Sequence, residues 1–162
     1  MIMFDATRLI VVPVIRDATG RILLCRMPPD RGVFPDQWAL PGGGVEPGEV
    51  VRAALEREVH EELGARLVSA MPLFFKDGVF EKRFAGGMKR PIYMVFLLFD
   101  CRLADGPIRL NEEFLEYAWV SPADLPVYDL NPITVDTFQQ LGVLPGPAAA
   151  EPPDQAFQQT IS

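Results

Sequence analysis

Three features of the chain predict a single α/β domain: two β-rich runs ahead of a glycine-rich loop, an amphipathic helix running out of that loop, and further apolar β-runs behind it. With 162 residues, 49% of them hydrophobic, there is enough apolar chain for one real core and too little for two. The expected domain is 1–144, with 145–162 as a mobile tail rich in Pro, Ala and Gln that has too little apolar content to fold alone.

In chain order, residues 8–15 (RLIVVPVI) and 21–27 (RILLCRM) read as strands, and Asp17, Ala18, Thr19 and Gly20 between them read as a hairpin turn. Pro13 puts the first strand at an edge or a bulge, because it has no N–H to give to a ladder. The loop PPDRGVFPDQW leads through Ala39 and Leu40 into PGGGVEPG, where three glycines permit positive φ and close backbone approach. Pro47 and Gly48 close a turn, Glu49 suits a first helical turn, and Gly64 is a natural stop, so a helix of about 15 residues is expected. Val51, Leu55, Val59 and Leu63 form its apolar stripe.

Residues 66–76 and 92–101 follow as strands, and the second, IYMVFLLFDC, is apolar enough to be a central strand covered on both faces. Between them Lys82, Arg83, Lys89 and Arg90 flank a glycine turn, a local basic cluster that either steers a polyanion or solubilises a hairpin tip. Residues 114–120 form another strand, SPADL starts a short helix, and a last helix begins with Asn131 as N-cap and Pro132 at N1.

Composition excludes several functions. A net charge of −7 argues against a nucleic-acid polymer or an anionic membrane as partner, while a small polyanion bridged by metal stays compatible. No secretory pattern and no run of 18 apolar residues is visible, so a soluble cytoplasmic protein is expected. Cys25 and Cys101 lie in strand-like runs and read as buried thiols. The single histidine, His60, falls on the outward helix face, which removes multi-histidine zinc sites within one chain. Ser69, Ser121 and Ser162 have no histidine placed to complete a nucleophilic triad, and no EF-hand loop is present.

The helix carries the chemistry. Glu58, Glu61 and Glu62 sit at i, i+3 and i+4 beside the apolar stripe, so they crowd one patch and repel unless a counter-ion joins them. Either Arg52, Arg57 and Arg66 balance a solvated acidic face, or a hard divalent cation such as Mg²⁺ sits among the oxygens.

The frame around these acids decides between the two. Gly43, Glu49, Arg57, Glu58, Val59, Glu61, Glu62, Gly64 and Ala65 fit the pattern G-x5-E-x7-R-E-U-x-E-E-x-G-U, with U apolar, and on this box the chain resembles the Nudix hydrolase family. Ala65 is smaller than the family's usual residue, which touches packing. The stretches DRGVFPDQWALPGGGVEPGE, IYMVFLLFDC and NEEFLEYAWVSPADLPVYDLN are similar to the bacterial nucleoside triphosphatase branch that prefers pyrimidine deoxynucleotides.

The resemblance implies an α/β/α sandwich with a mixed β-sheet and a loop-helix-loop motif. It also implies Mg²⁺, with Mn²⁺ as a substitute, held by Glu58, Glu61 and Glu62, a carbonyl of Gly42 and a carboxylate from Glu112 or Glu113. The implied reaction is hydrolysis of a nucleoside triphosphate to monophosphate and pyrophosphate. Glu58, Glu61 and Glu113 with Arg57 form the catalytic set, and Glu61 or Glu113 serves as base. Arg57 and Glu49, eight residues apart, are read as an ion pair fixing loop to helix. For base, sugar and phosphate the candidates are Phe34, Trp38, Tyr93, Phe75, Phe80 and Arg26. Other Nudix activities on oxidised purine nucleotides, ADP-ribose or nucleotide sugars stay open, as does a non-catalytic binding module; a monomer and a homodimer are both compatible.

Overall fold

In the computed structural model, which describes residues 6–83 and 86–147, the chain pairs into two sheets. The strands are β1 (Ala6–Ile15), β2 (Ile22–Arg26), β3 (Trp38–Ala39), β4 (Gly43–Gly44), β5 (Leu67–Arg83), β6 (Lys89–Leu103) and β7 (Glu116–Val120). The helices are α1 (Val51–Leu63) and α2 (Pro132–Gln140), and a 3-10 segment covers Pro122–Val127. One sheet is mixed, in the order β4-β1-β6-β5, with β1 parallel to β6; the other is antiparallel, in the order β3-β2-β7.

Alternation along β1 and β2 builds the layers. Val11, Ile15, Leu23 and Cys25 point into a core shared with Ala54, Leu55, Val59 and Leu63 of α1. Their neighbours Ile10, Val14, Ile22 and Leu24 point the other way, into a core shared with Phe138 of α2. A strand buried on both faces loses the polar-out alternation, and this is why these runs read as continuously apolar. Helices on opposite faces of a mixed sheet are the sandwich expected from the box.

Several expectations change in detail. The turn at 17–20 forms, with the Asp17 N–H donating to the Arg21 carbonyl at 3.0 Å, but the hairpin stops at one bridge, Arg16 with Ile22. Beyond it β1 and β2 enter different sheets, because each has a better partner elsewhere: β6 for β1 and β7 for β2. Pro13 is tolerated because β4 pairs only with Ile10 and Val11, which leaves that side of β1 without a ladder at position 13. β6 is central, between β1 and β5, yet only Ile92, Phe96, Leu98 and Cys101 along it are buried. The strand expected at 66–76 runs on to Arg83.

Helix α1 begins at Val51, after Glu49, whose carboxylate is held by Arg57 and does not sit in the first turn. Gly64 closes the helix in the left-handed region at φ 60°. The basic cluster lies on the β5–β6 hairpin, where Lys89 pairs with Glu81 at 3.3 Å. Of the expected tail, 148–162 lies outside the described residues, as do 1–5 and the hairpin-tip residues 84–85. No helix among the described residues is long and apolar enough to cross a membrane.

Helix α2 is fixed at its start. The Asn131 side chain accepts from the Thr134 N–H at 2.8 Å, and Lys76 of β5 donates to the Ile133 carbonyl at 2.7 Å and to Asp136 at 2.8 Å. Removing a cap of this kind costs about 1 kcal/mol. Asn131→Ala is therefore expected to lower the unfolding free energy by about that amount in urea titration, and Asn131→Asp to retain most of it.

Candidate metal and substrate site

The site grows from the loop that runs between β1 and α1. A Cβ at Gly42 would lie 2.2 Å from the Val11 carbonyl oxygen, and one at Gly43 would lie 2.4 Å from the Glu58 carboxyl. Only glycine allows the loop to be pressed between strand and helix in this way, and Gly42 adopts φ +143° to do so. The Gly42 N–H donates to Glu62 Oε2 at 3.0 Å. At Gly42, whose carbonyl the resemblance offers to metal, it is thus the N–H that is engaged.

On the helix side, Glu58 is 8% exposed and Glu62 only 2%. Burial drives the Glu62 carboxyl far above the ordinary carboxylate range, against the Gly42 N–H, and the neighbouring Glu58 and Glu113 push the same way. Glu113 approaches Glu62 closely enough to add to that rise, and both acids line one cavity. Burial raises Glu58 too, with Arg57 opposing and Glu61 and Glu113 adding to the rise.

Arg57 spreads over the acids as their internal counter-ion. Its Nε and Nη2 donate to the two oxygens of Glu49 at 2.7 and 2.9 Å, and Nη2 also reaches the Gly44 carbonyl at 2.9 Å. Nη1 donates to Glu58 at 2.8 Å and to Glu61 at 3.1 Å. The pair expected from an eight-residue spacing is thus bidentate, and it ties the loop carrying Glu49 to the second turn of α1. Hydrogen bonds from Arg57 and from the Glu46 N–H hold the Glu49 carboxyl down at about 2.

Could this set take a divalent ion? The donors are hard carboxylate oxygens, and two of the acids are buried without enough protein N–H to balance a full charge, which is the chemistry a Mg²⁺-like ion satisfies. Among the described residues no three acidic, histidine or cysteine side chains stand gathered for metal as they lie, since Arg57 Nη1 bonds both Glu58 and Glu61. The donor set fits a hard cation, and the side chains must turn to enclose it.

Beside Glu62 and Glu113 opens a cavity of about 490 Å³ whose walls include Phe34, Phe80, Met94, Ile133 and Asn131. Of the named substrate candidates, Phe34 and Phe80 line it. Trp38 stacks edge-on against Tyr128 at 5.1 Å, and the Tyr93 hydroxyl donates to Asp77. The Arg26 guanidinium is taken up by Asp36 at 2.5 Å and Glu116 at 2.9 Å. Among the described residues lining the cavity the one cation is Arg31, which the sequence reading missed. It sits in a loop without periodicity, so no local signal separated it from other surface arginines. Of the acids before the last strand, Glu113 turns inward to Glu62, while Glu112 presents its carbonyl to Arg31 at 2.8 Å.

Comparison with known proteins agrees with this geometry. The NUDIX domain family model matches residues 6–141. The nucleoside triphosphatase NudI of Escherichia coli O1:K1 is 51% identical over 139 residues, covering 85% of this chain and 98% of that protein. A MutT NUDIX hydrolase from Burkholderia pseudomallei superposes with a TM-score of 0.65 at 28% identity, covering 83% of this chain and 98% of the other. The NUDIX domain of Shewanella oneidensis NrtR, solved with ADP ribose, shares the fold at a TM-score of 0.64 and 19% identity, covering 86% and 88%.

The depressed Glu49 carboxyl sets a pH signature. A group held below its unfolded value stabilises the fold fully above that value, here 4.5, and loses its effect as pH falls toward about 2. The melting-temperature gap between wild type and Glu49→Gln is therefore expected to be constant above about pH 5 and to narrow steadily through the acid window, read by thermal denaturation at stepped pH.

Proposed function

The chain belongs to the Nudix hydrolase family, and from that premise we propose that it hydrolyses nucleoside triphosphates, preferring pyrimidine deoxynucleotides, to nucleoside monophosphate and pyrophosphate with Mg²⁺. The observation that carries the reading is a full set of acids beside a cavity of about 490 Å³: Glu62 and Glu113 line it, and Glu58 and Glu61 share Arg57 Nη1 on the same helix. The 51% identity to a nucleoside triphosphatase supports the substrate class. The catalytic domain spans 1–144 and works on free nucleotides in the cytoplasm, as a monomer or homodimer.

Glu58, Glu61, Glu62 and Glu113, with the Gly42 carbonyl, are the groups that would hold the ion. When bound, a divalent cation neutralises polyphosphate charge and makes water a better nucleophile near neutral pH. The chain supplies the remainder. Phe34 and Phe80 offer apolar walls to the base. Glu61 or Glu113 accepts a proton from the attacking water as its oxygen bonds to phosphorus in line with the leaving group. The phosphoanhydride between the α- and β-phosphoryl groups breaks, and pyrophosphate departs. Arg57 is too engaged with Glu49, Glu58 and Glu61 to be a substrate ligand; its part is to keep three carboxylates on one patch.

A nucleotide panel with pyrophosphate detection tests the reading. Release is expected with Mg²⁺, to stop with a chelator and to resume with Mg²⁺ or Mn²⁺, and to be faster for dCTP, dTTP and dUTP than for purine triphosphates. Turnover of ADP-ribose, nucleotide sugars or oxidised purine nucleotides alone would replace the substrate assignment. Glu61→Gln and Glu62→Gln are each expected to lose on the order of 10²-fold or more in rate while keeping the wild-type circular dichroism spectrum. A variant as active as wild type would remove that acid from the mechanism.

A further inference from the structure

The segment that delivers Glu113 is anchored at both flanks. On one side the Arg109 and Asn111 N–H groups donate to the last carbonyls of α1, Leu63 at 2.8 Å and Glu62 at 3.2 Å. On the other the Leu115 N–H donates to the Arg26 carbonyl of β2 at 2.8 Å, and Phe114 is buried in the α1 core. Between the flanks a single peptide unit, joining Glu112 to Glu113, decides where the Glu113 carboxylate goes. Its N–H donates to Asn111 Oδ1 at 3.0 Å, and its carbonyl accepts from Arg31 Nη1 at 2.8 Å. A peptide unit is planar, so holding both of its ends fixes its rotation, and with Phe114 and Leu115 anchored just beyond, the direction in which the Glu113 side chain leaves the backbone is constrained.

Arg31 reaches that carbonyl from the loop 28–37, which is otherwise attached near its ends, by Met27 N–H to Gln37 carbonyl at 2.9 Å and Asp36 N–H to Pro28 carbonyl at 3.2 Å. The same loop supplies Val33 and Phe34 to the cavity wall. One hydrogen bond therefore links the wall of the cavity to Glu112, 81 residues away, in the peptide unit that leads into Glu113.

We propose that Arg31 is a positioning residue for hydrolysis: by clasping the Glu112 carbonyl it holds the Glu113 carboxylate against Glu62, and so couples the seating of the 28–37 loop to assembly of the acid cluster. The inference rests on Glu113 serving the proposed reaction, and it adds a residue that neither the box nor its flanking resemblance assigns. Arg31 is exposed, so its truncation leaves the two cores intact.

Two measurements test it on the full chain. In ¹⁵N-labelled protein without metal or nucleotide, Arg31→Ala is expected to speed exchange of the Glu113 N–H about tenfold while the Asn111 and α1 amides keep wild-type rates. In steady-state kinetics, Arg31→Ala is expected to lower kcat on the order of tenfold with KM little changed, Arg31→Lys to recover most of the loss, and Arg31→Ala to add less than about twofold in a Glu113→Gln background. Unchanged exchange, a full multiplicative loss in the double variant, or a raised KM with kcat intact would each overturn the proposal, the last in favour of a direct substrate contact. A wild-type chain that turns over no nucleotide refutes the functional reading instead, and the exchange measurement tells the two failures apart.

Discussion

Glu58 and Glu62 project from one face of α1 into space that is nearly closed to solvent, and most of the architecture around them answers the electrostatic cost of that placement. An isolated carboxylate in such a position would give up its charge. Here the Gly42 N–H donates to Glu62 and Arg57 donates to Glu58. The compensation is partial, since both acids remain shifted upward, and a positive charge placed beside them would relieve that deficit.

Placing those partners constrains the backbone. The loop can offer an N–H to Glu62 only by passing between Val11 of β1 and the Glu58 carboxyl, a gap in which neither Gly42 nor Gly43 could carry a side chain. The two-residue β4, paired with Ile10 and Val11, holds the loop against the strand there. Glu49 completes the arrangement from outside the helix: by occupying Nε and Nη2 of Arg57 it leaves Nη1 for Glu58 and Glu61. Loop, strand and helix thus form one unit, and the deep cores on either side of β1 keep it rigid.

What could be read from the residues follows the range of the interactions. The α1 stop at Gly64, the Asn131 cap and the Arg57 to Glu49 pair all depend on neighbours within one or two helical turns, where spacing alone sets geometry. The divorce of β1 from β2 is hidden in the sequence, because it is decided by partners 86 residues downstream for β1 and 90 to 98 downstream for β2, which compete with a well-formed turn. The same range effect separates the two arginines. Arg26 looked available on its strand, yet it meets Asp36 across a loop and Glu116 across the sheet; Arg31 looked like a surface loop residue, yet it reaches Glu112. Asn131 was recognised as a cap, and that correct local role concealed its second position on the cavity wall.

The two cysteines deserve a practical reading. Cys25 and Cys101 are both free and fully enclosed, and burial keeps each as the neutral thiol, with Glu62 adding to the effect at Cys25. The folded chain is consequently expected to resist maleimide and iodoacetamide reagents. A cysteine introduced at the exposed Val33 would be the sole reactive sulfur, so a fluorophore could be attached there without first stripping the native thiols from the protein.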